Sequence, residues 1–539
     1  MSHTLQQLMS LVQRAQRPAA LALADDLHAR GERHPLVLML AAESLEEKRR
    51  FGQAAALLEE ALRTADGEPE LWRRYGMVLA KQGLLPEART ALAEAFDIAP
   101  DQPAIRMALA TAHYRLGELD PAAAHFEALV RDKPDSAEPL GALAAIAAQR
   151  GDGPLAADFA RRALDLAPDH LPARIAQARA ALVCGDAAGA EQLAAGLLDR
   201  IDRADDHRIA LLGLRGDARD ALGRHDAAFT DYMARNALLA AQHGSAMAAS
   251  GVERRLDQSR RLAEWAGQLD AEAWAASRAP AEALERPCAG HLFIVGFPRS
   301  GTTLLEKALA GHDAILTLPE IDCLGATAGH LLADRAALDR LTHLPATEIA
   351  ALRDRYFTAV SGVAGSLQGK VIVDKLPLHA IALPLIARLF PDARIILSLR
   401  DPRDVVLSGF RRRFQMNAAM FELLTLGGAA DYYDAVMTLV ECYRACLRID
   451  PHQLRHEDMV DDFEGEVRKV LALFGLGWSE PIRDFAGRAA ANARTPSDYQ
   501  LKRGLNRDGV GSWRAYAAQL KPVLPVLQRW IDRWGYAPQ

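Results

Sequence analysis

Two short segments of the chain combine residue types and spacings that suit the binding of phosphate or sulfate oxygens. The first is GFPRSGTT, Gly296 to Thr303. If this loop opens a helix, its backbone N–H groups point at a bound anion that the helix dipole also favours, and Ser300, Thr302 and Thr303 add hydroxyl donors around Gly301. A nucleoside triphosphatase loop carries a lysine where this sequence has Thr302, so no loop lysine is available to reach a third phosphate. Arg299 offers instead a planar fork of donors that matches a pair of phosphate or sulfate oxygens. The second segment is RDPRDVVLSGFRRR, in which Arg400 and Ser408 stand eight residues apart and Arg412 follows one turn later. A strand-end arginine and a hydroxyl two helical turns on can converge on one phosphate, with Arg412 reinforcing them. Taken singly, the first segment is also compatible with a Gly-rich turn that holds no ligand, and the second with a solvated basic helix face.

Both segments need the same scaffold. LFIVGF is a continuous apolar run, as in a strand buried on both faces, and Leu304, Leu305 and Leu309 mark the apolar face of a following helix. Arg394 to Leu399 reads as a second strand, Arg400-Asp401-Pro402 as its turn, and a basic helix follows. A strand–loop–helix order is therefore expected twice.

Upstream, the dominant signal is repetition. Gly83, Gly117, Gly151 and Gly185 recur every 34 residues, each followed five residues later by an alanine: Ala88, Ala122, Ala156 and Ala190. Pro100, Pro134 and Pro168 keep the same step and close one helical unit before the next. Glycine permits the tight turn and alanine the close approach of two helices, which predicts stacked helix pairs. The pattern resembles the tetratricopeptide repeat, met most fully by Trp72, Gly76, Ala88 and Pro100, with weaker units near Phe51 and Gly223. The resemblance implies a concave surface that holds peptides or partner proteins.

The chain has 539 residues, beyond the roughly 250–300 at which a single core stops growing, so at least two domains are expected. Half the residues are hydrophobic, a quarter are charged and the net charge is −6, which gives no sign of a nucleic-acid binder. The first residues lack a cationic start followed by an apolar core and no stretch is apolar enough to span a bilayer, so a soluble, cytoplasmic protein with no membrane partner is expected. The five cysteines carry no metal or redox spacing; only Cys442 and Cys446 are near each other.

Together, PRSGTT and the R-x7-S run of RDPRDVVLS resemble the 5′-phosphosulfate loop and the 3′-phosphate motif of sulfotransferases that use 3′-phosphoadenosine 5′-phosphosulfate (PAPS). The resemblance covers about Cys288 to Tyr536 and is nearest to the tyrosylprotein sulfotransferase branch. It implies PAPS as co-substrate, no metal, and transfer of a sulfuryl group to an acceptor hydroxyl, with a peptide or protein docked by the repeats as the candidate acceptor. By the same resemblance Glu320, in TLPEID, stands at the general base; Lys375, in VDKLP, at the strand-end lysine, with Asp374 in place of asparagine; Arg299 joins them in catalysis; and Ser497, Gln500 and Lys502 belong to a nucleotide-covering segment. Three positions depart from the pattern: His456 replaces a tyrosine beside the nucleotide, Asp322 a basic residue beside the base, and Ser512 a lysine before Trp513. Asp322 weakens the expectation of an acidic peptide acceptor, which its charge would repel. The predicted architecture is an α-solenoid of tetratricopeptide helix pairs with an N-terminal cap over 1–245, a helical linker over 246–286, and over 287–539 an α/β three-layer sulfotransferase domain with a parallel sheet and a P-loop-like phosphate site. Two other readings stand beside it: a repeat scaffold with a catalytically silent transferase domain, and a kinase-like phosphotransferase, which Thr302 and the absence of a second Mg²⁺ motif disfavour.

Overall fold

The computed structural model describes residues 3–201, 205–277, 286–318, 320–491, 501 and 504–537. The chain divides into two compact units, Met1–Gly189 and Ala190–Gln539.

The first unit is a stack of antiparallel helix pairs, among them Pro69–Gln82 with Leu85–Ile98 and Pro103–Leu116 with Leu119–Asp132. The predicted turn glycines Gly83, Gly117 and Gly151 all adopt left-handed backbone, with φ of 85°, 78° and 79°, a region that costs other residues about 1 kcal/mol or more. Ala88, Ala122 and Ala156 are wholly buried between the paired helices. At Gly76 a Cβ would lie 2.6 Å from the Leu92 side chain, so the close packing of that pair requires glycine. Ion pairs link neighbouring helices of this unit: Arg74 bonds Glu43 at 2.7 Å and Lys81 bonds Glu46 at 2.5 Å.

The second unit is built around a five-stranded, wholly parallel sheet of β1 (Gly290–Gly296), β2 (Ile315–Thr317), β3 (Val371–Lys375), β4 (Arg394–Leu399) and β5 (His452–Arg455), in the order β2-β3-β1-β4-β5. β1 is buried from end to end, which explains why LFIV shows no alternation. Its side chains nonetheless feed two separate cores. Phe293 and Val295 pack with Leu397, Leu399 and the helices of residues 323–446, while Leu292 and Ile294 pack with Ile396, Val373 and the helices Thr302–Leu309 and Phe463–Ala472. Helices therefore cover both faces, giving the three layers. From β1 the chain winds first towards β2 and β3 and later, from β4, towards β5. The C-terminal ends of β1 and β4 thus lie at the point where the winding reverses, the usual ligand crevice of such sheets.

The helices Asp206–Ala221 and His225–Ala249 also belong to the second unit. Phe229 packs on Phe410 with ring centroids 5.0 Å apart, and Tyr232 is wholly buried, its hydroxyl donating to Asp217 at 2.9 Å. The repeat pattern read from sequence runs on to about residue 240, whereas the compact unit that contains the sheet begins at Ala190.

Candidate functional site

The two anion-binding segments meet at the crevice between β1 and β4. Gly296 pairs in register with Ser398, and from there the loop 297–301 and the turn at Arg400 leave the sheet side by side. Ser398 Oγ donates to the Ser300 carbonyl at 2.9 Å, Arg400 Nη1 donates to the Arg299 carbonyl at 3.1 Å, and Arg299 Nε donates to Ser408 Oγ at 3.0 Å. The last bond joins the two motifs directly across 109 residues of sequence. Arg299 holds a φ of 75°, uncommon for a residue with a Cβ and typical of backbone strained for function.

Positive charge is concentrated here. Burial first, and then the charges of Arg412 and Arg400, push the Arg299 guanidinium down to about 9, so it stays charged at neutral pH but is disfavoured by its neighbours. An anion would relieve that repulsion. His456 lies against Gly301, whose added Cβ would sit 2.6 Å from its Nδ1; burial, followed by Arg400 and Arg299, pushes its imidazole down to about 3, so it is neutral. Three buried polar atoms in this cradle, Ser300 Oγ, Arg400 Nε and His456 Nδ1, have no hydrogen-bond partner among the described residues. Unsatisfied donors clustered around surplus positive charge fit a polyanionic ligand. Thr302 and Thr303 are buried at the start of the helix Thr302–Leu309, with Gly301 as its left-handed N-cap (φ 94°).

A second cluster lies at the ends of β2 and β3. Lys375, 2% exposed, forms ion pairs with Glu320 and, at 3.2 Å, with Glu306. Burial opposes its charge, but attraction from Glu306 and Glu320 outweighs this and raises the ammonium above its ordinary value. The Glu320 carboxylate is itself exposed. Two residues on, Asp322 caps the helix Cys323–Ala328 by accepting from Gly325 N at 2.6 Å and lies 3.0 Å from His379 Nε2. His379 is buried with its Nδ1 3.5 Å from Asp374, and Asp374 accepts from the Tyr356 hydroxyl at 2.7 Å, which in turn lies 2.9 Å from His291 Nε2. The residue that replaces a basic side chain beside Glu320 is thus tied to a buried histidine. Burial opposes the His379 charge, but Asp374 and the bond to Asp322 outweigh it and raise the imidazole above its usual range. For Asp322, burial acts upward and the bond and charge of His379 prevail, holding the carboxyl below its usual range.

Near the C-terminus Asp404, fully buried on the helix Pro402–Arg411, accepts from Gly511 N at 2.7 Å, Ser512 Oγ at 2.8 Å and Trp513 N at 2.8 Å. Arg400 also donates to the Gly509 carbonyl. Ser512 therefore serves as an anchor for its own turn, and Trp513 is buried with the Arg403 guanidinium 3.8 Å above its ring. Ser497, Gln500 and Lys502 lie outside the described residues. His312, eight residues before Glu320, accepts from Ala314 N at 3.0 Å and so shapes its own turn. Glu306, His379 and Asp404 escaped the sequence reading. Glu306 stands one helical turn after Thr302 on an otherwise apolar face, and a carboxylate at such a place signals a buried partner.

A parallel α/β sheet with a cradle of positive charge and unpaired polar atoms at its switch point, and a lysine–carboxylate pair at a neighbouring strand end, is an arrangement suited to a polyanionic ligand. The family is given by the match of residues 291–480 to the sulfotransferase family: the C-terminal part of the chain carries a sulfotransferase-family domain, and tetratricopeptide-repeat matches cover 39–103 and 79–146. Similar proteins include an uncharacterized protein of Aquifex aeolicus (25% identical; 44% of this chain, 32% of that protein) and the omega-hydroxy-beta-dihydromenaquinone-9 sulfotransferase Stf3 of Mycobacterium bovis (29%; 31% and 42%). Protein-tyrosine sulfotransferase 2 of Gallus gallus is 25% identical over 46% of this chain and 69% of its own length. The chain thus spans about a third to two thirds of these relatives. A tetratricopeptide repeat protein of Parabacteroides merdae aligns over 38% of the chain at 20% identity with a TM-score of 0.32.

Proposed function

We propose that the second unit transfers the sulfuryl group of PAPS to an acceptor hydroxyl on a peptide or protein. The observation that carries this reading is the Arg299–Ser408 hydrogen bond, which makes one continuous cradle from the 5′-phosphosulfate and 3′-phosphate candidates. The donor supplies an activated sulfuryl group, and adenosine 3′,5′-bisphosphate leaves. Arg400, Ser408 and Arg412 hold the 3′-phosphate, with Ser497, Gln500 and Lys502 as further candidate contacts. Arg299, Ser300, Thr302, Thr303 and the N–H groups beside Gly301 hold the phosphosulfate, and the neutral His456 ring packs beside them.

Glu320 accepts the acceptor's hydroxyl proton. With ordinary values of about 4.3 for Glu and 10 for a phenol, complete prior deprotonation is uphill by roughly 8 kcal/mol, so proton transfer accompanies formation of the new S–O bond. As Glu320 becomes neutral, its attraction for Lys375 falls. The ammonium is then released towards negative charge developing on the bridging oxygen, while Glu306 keeps it in place.

Two classes of relative keep the acceptor open in kind, one named for protein tyrosine and one for a hydroxylated menaquinone. The repeats favour a peptide or protein, since they are surfaces for protein docking. Incubating the protein with radiolabelled PAPS and fractionated lysate tests this: label is expected in a peptide or protein fraction, and label found only in lipid or small molecules would refute the acceptor class. Glu320→Ala is expected to lower turnover by at least about 10²-fold, the usual scale of general-base loss, with bisphosphate affinity unchanged; unaltered turnover would remove Glu320 from the mechanism.

A further inference from the structure

The last turn of the helix Pro402–Arg411 is gripped by residues far upstream in the chain. Helices end with carbonyls that have no partner of their own. Here the Phe410 carbonyl accepts from Arg235 Nη2 and from Asn236 Nδ2, both at 3.0 Å, and the Arg411 carbonyl accepts from Arg235 Nη1 at 2.9 Å. Arg235 Nε donates to Asn236 Oδ1 at 3.0 Å, which locks the two side chains into one unit. Both are 2% exposed. A cation set against a helix C-terminus complements the dipole as well as the orphan carbonyls. The Arg411 side chain bonds Asp220, which also accepts from the Tyr516 hydroxyl, while Phe229 packs on Phe410.

From this geometry we infer that Arg235 and Asn236 are positioning residues for the donor's 3′-phosphate, acting through the Phe410 and Arg411 carbonyls on the turn that carries Ser408 and Arg412. The inference rests on the donor reading given above. The grip falls between the two side chains that matter: Ser408 precedes Phe410 by two residues, and Arg412 leaves the helix at its C-cap with φ −94° and ψ 142°. Ser408 Oγ is simultaneously held by Arg299. A slackened last turn would therefore shift Ser408 and Arg412 relative to Arg299, and a binding constellation tolerates displacements of only about 0.5 Å. A simple packing role would not require a buried guanidinium. Burial pushes the Arg235 cation down to about 10, a cost that an apolar residue at the same place would avoid.

The test compares adenosine 3′,5′-bisphosphate with AMP, which lacks only the 3′-phosphate, in equilibrium titrations of the full chain. For Arg235→Met the bisphosphate Kd is expected to rise about tenfold or more, the scale of one charge-assisted hydrogen bond, while the AMP Kd stays within about twofold. Arg235→Lys, which keeps the charge, is expected to fall between. Asn236→Ala, expected to move the ratio in the same direction by less, serves if circular dichroism finds Arg235→Met unfolded. A folded variant that keeps the parent's bisphosphate-to-AMP ratio, or weakens both nucleotides equally, would overturn the inference. A parent protein that binds the two alike would overturn the donor reading, and the inference with it.

Discussion

Lys375 is held by two carboxylates of different standing: Glu306 is buried with it, and Glu320 reaches solvent. Removing the ammonium leaves the buried Glu306 with Lys307, 3.1 Å away, as its remaining cation, so Lys375→Met is expected to cost about 1.5–3 kcal/mol of stability. Adding Glu306→Gln should recover much of that loss in a denaturant melt without restoring turnover; recovery of both would make Lys375 purely structural. The Asp322–His379 pair gives a pH signature. A histidine whose folded value is raised contributes its full stabilisation below its unfolded value of about 6.5 and loses it as the pH climbs through the higher folded value. The stability difference between the parent and His379→Gln should therefore be largest near about pH 6 and shrink towards alkaline pH. A difference that is flat or grows with pH would contradict the pairing. At this scale, sequence reading picked out loop residues that the structure brings together at the β1–β4 crevice, because hydroxyls, arginines and glycines at such positions have few other uses. It missed Glu306, His379 and Asp404, because a buried polar residue inside an apolar stretch is recognisable only once its partner, here Lys375, Asp322 or the turn 511–513, is known.

At the scale of elements, β1 and β4 set the site. Their parallel register places Gly296 opposite Ser398, so the two following segments leave the sheet side by side, within reach of the Arg299 and Arg400 side chains that join them. The loop ends on Gly301, where a left-handed backbone and the His456 ring both exclude a Cβ; Gly301→Ala is expected to destabilise by about 1–2 kcal/mol and to weaken nucleotide binding more than it lowers the melting midpoint would explain. Asp404 ties the helix Pro402–Arg411 to the turn 511–513 through three accepted bonds. Asp404→Ala leaves those donors without their acceptor and is expected to cost about 3 kcal/mol, read by denaturant melt. β1, β4 and the repeat helices were legible in the sequence because each follows a simple pattern, an unbroken apolar run or a 34-residue step, whereas β2 and β5, three and four residues long, carry neither. The strand order was not, because it depends on which way each crossover winds.

For the whole molecule, the repeat pattern and the folding unit divide the chain at different places. The pattern continues to about residue 240 because the helix pair Asp206–Ala221 and His225–Ala249 keeps its turn glycine, Gly223, at φ 74°. The compact unit nevertheless takes that pair in, through Arg235, Asn236 and Tyr232. Periodicity reports how a segment folds locally and is silent on what it packs against. A fragment 190–539 is accordingly expected to unfold in one cooperative step and to bind nucleotide, whereas 287–539, deprived of that pair, is expected to do neither; equal behaviour of the two would place the working boundary at the later position. A 3′-phosphate distinguishes the proposed donor from ATP. The deciding measurement is titration of the full chain with adenosine 3′,5′-bisphosphate and, separately, with ATP and Mg²⁺. Bisphosphate affinity is expected to be at least about tenfold greater than that for ATP, with the preference lost in Ser408→Ala. Preferential binding of ATP with Mg²⁺, or binding of neither, would contradict the donor reading.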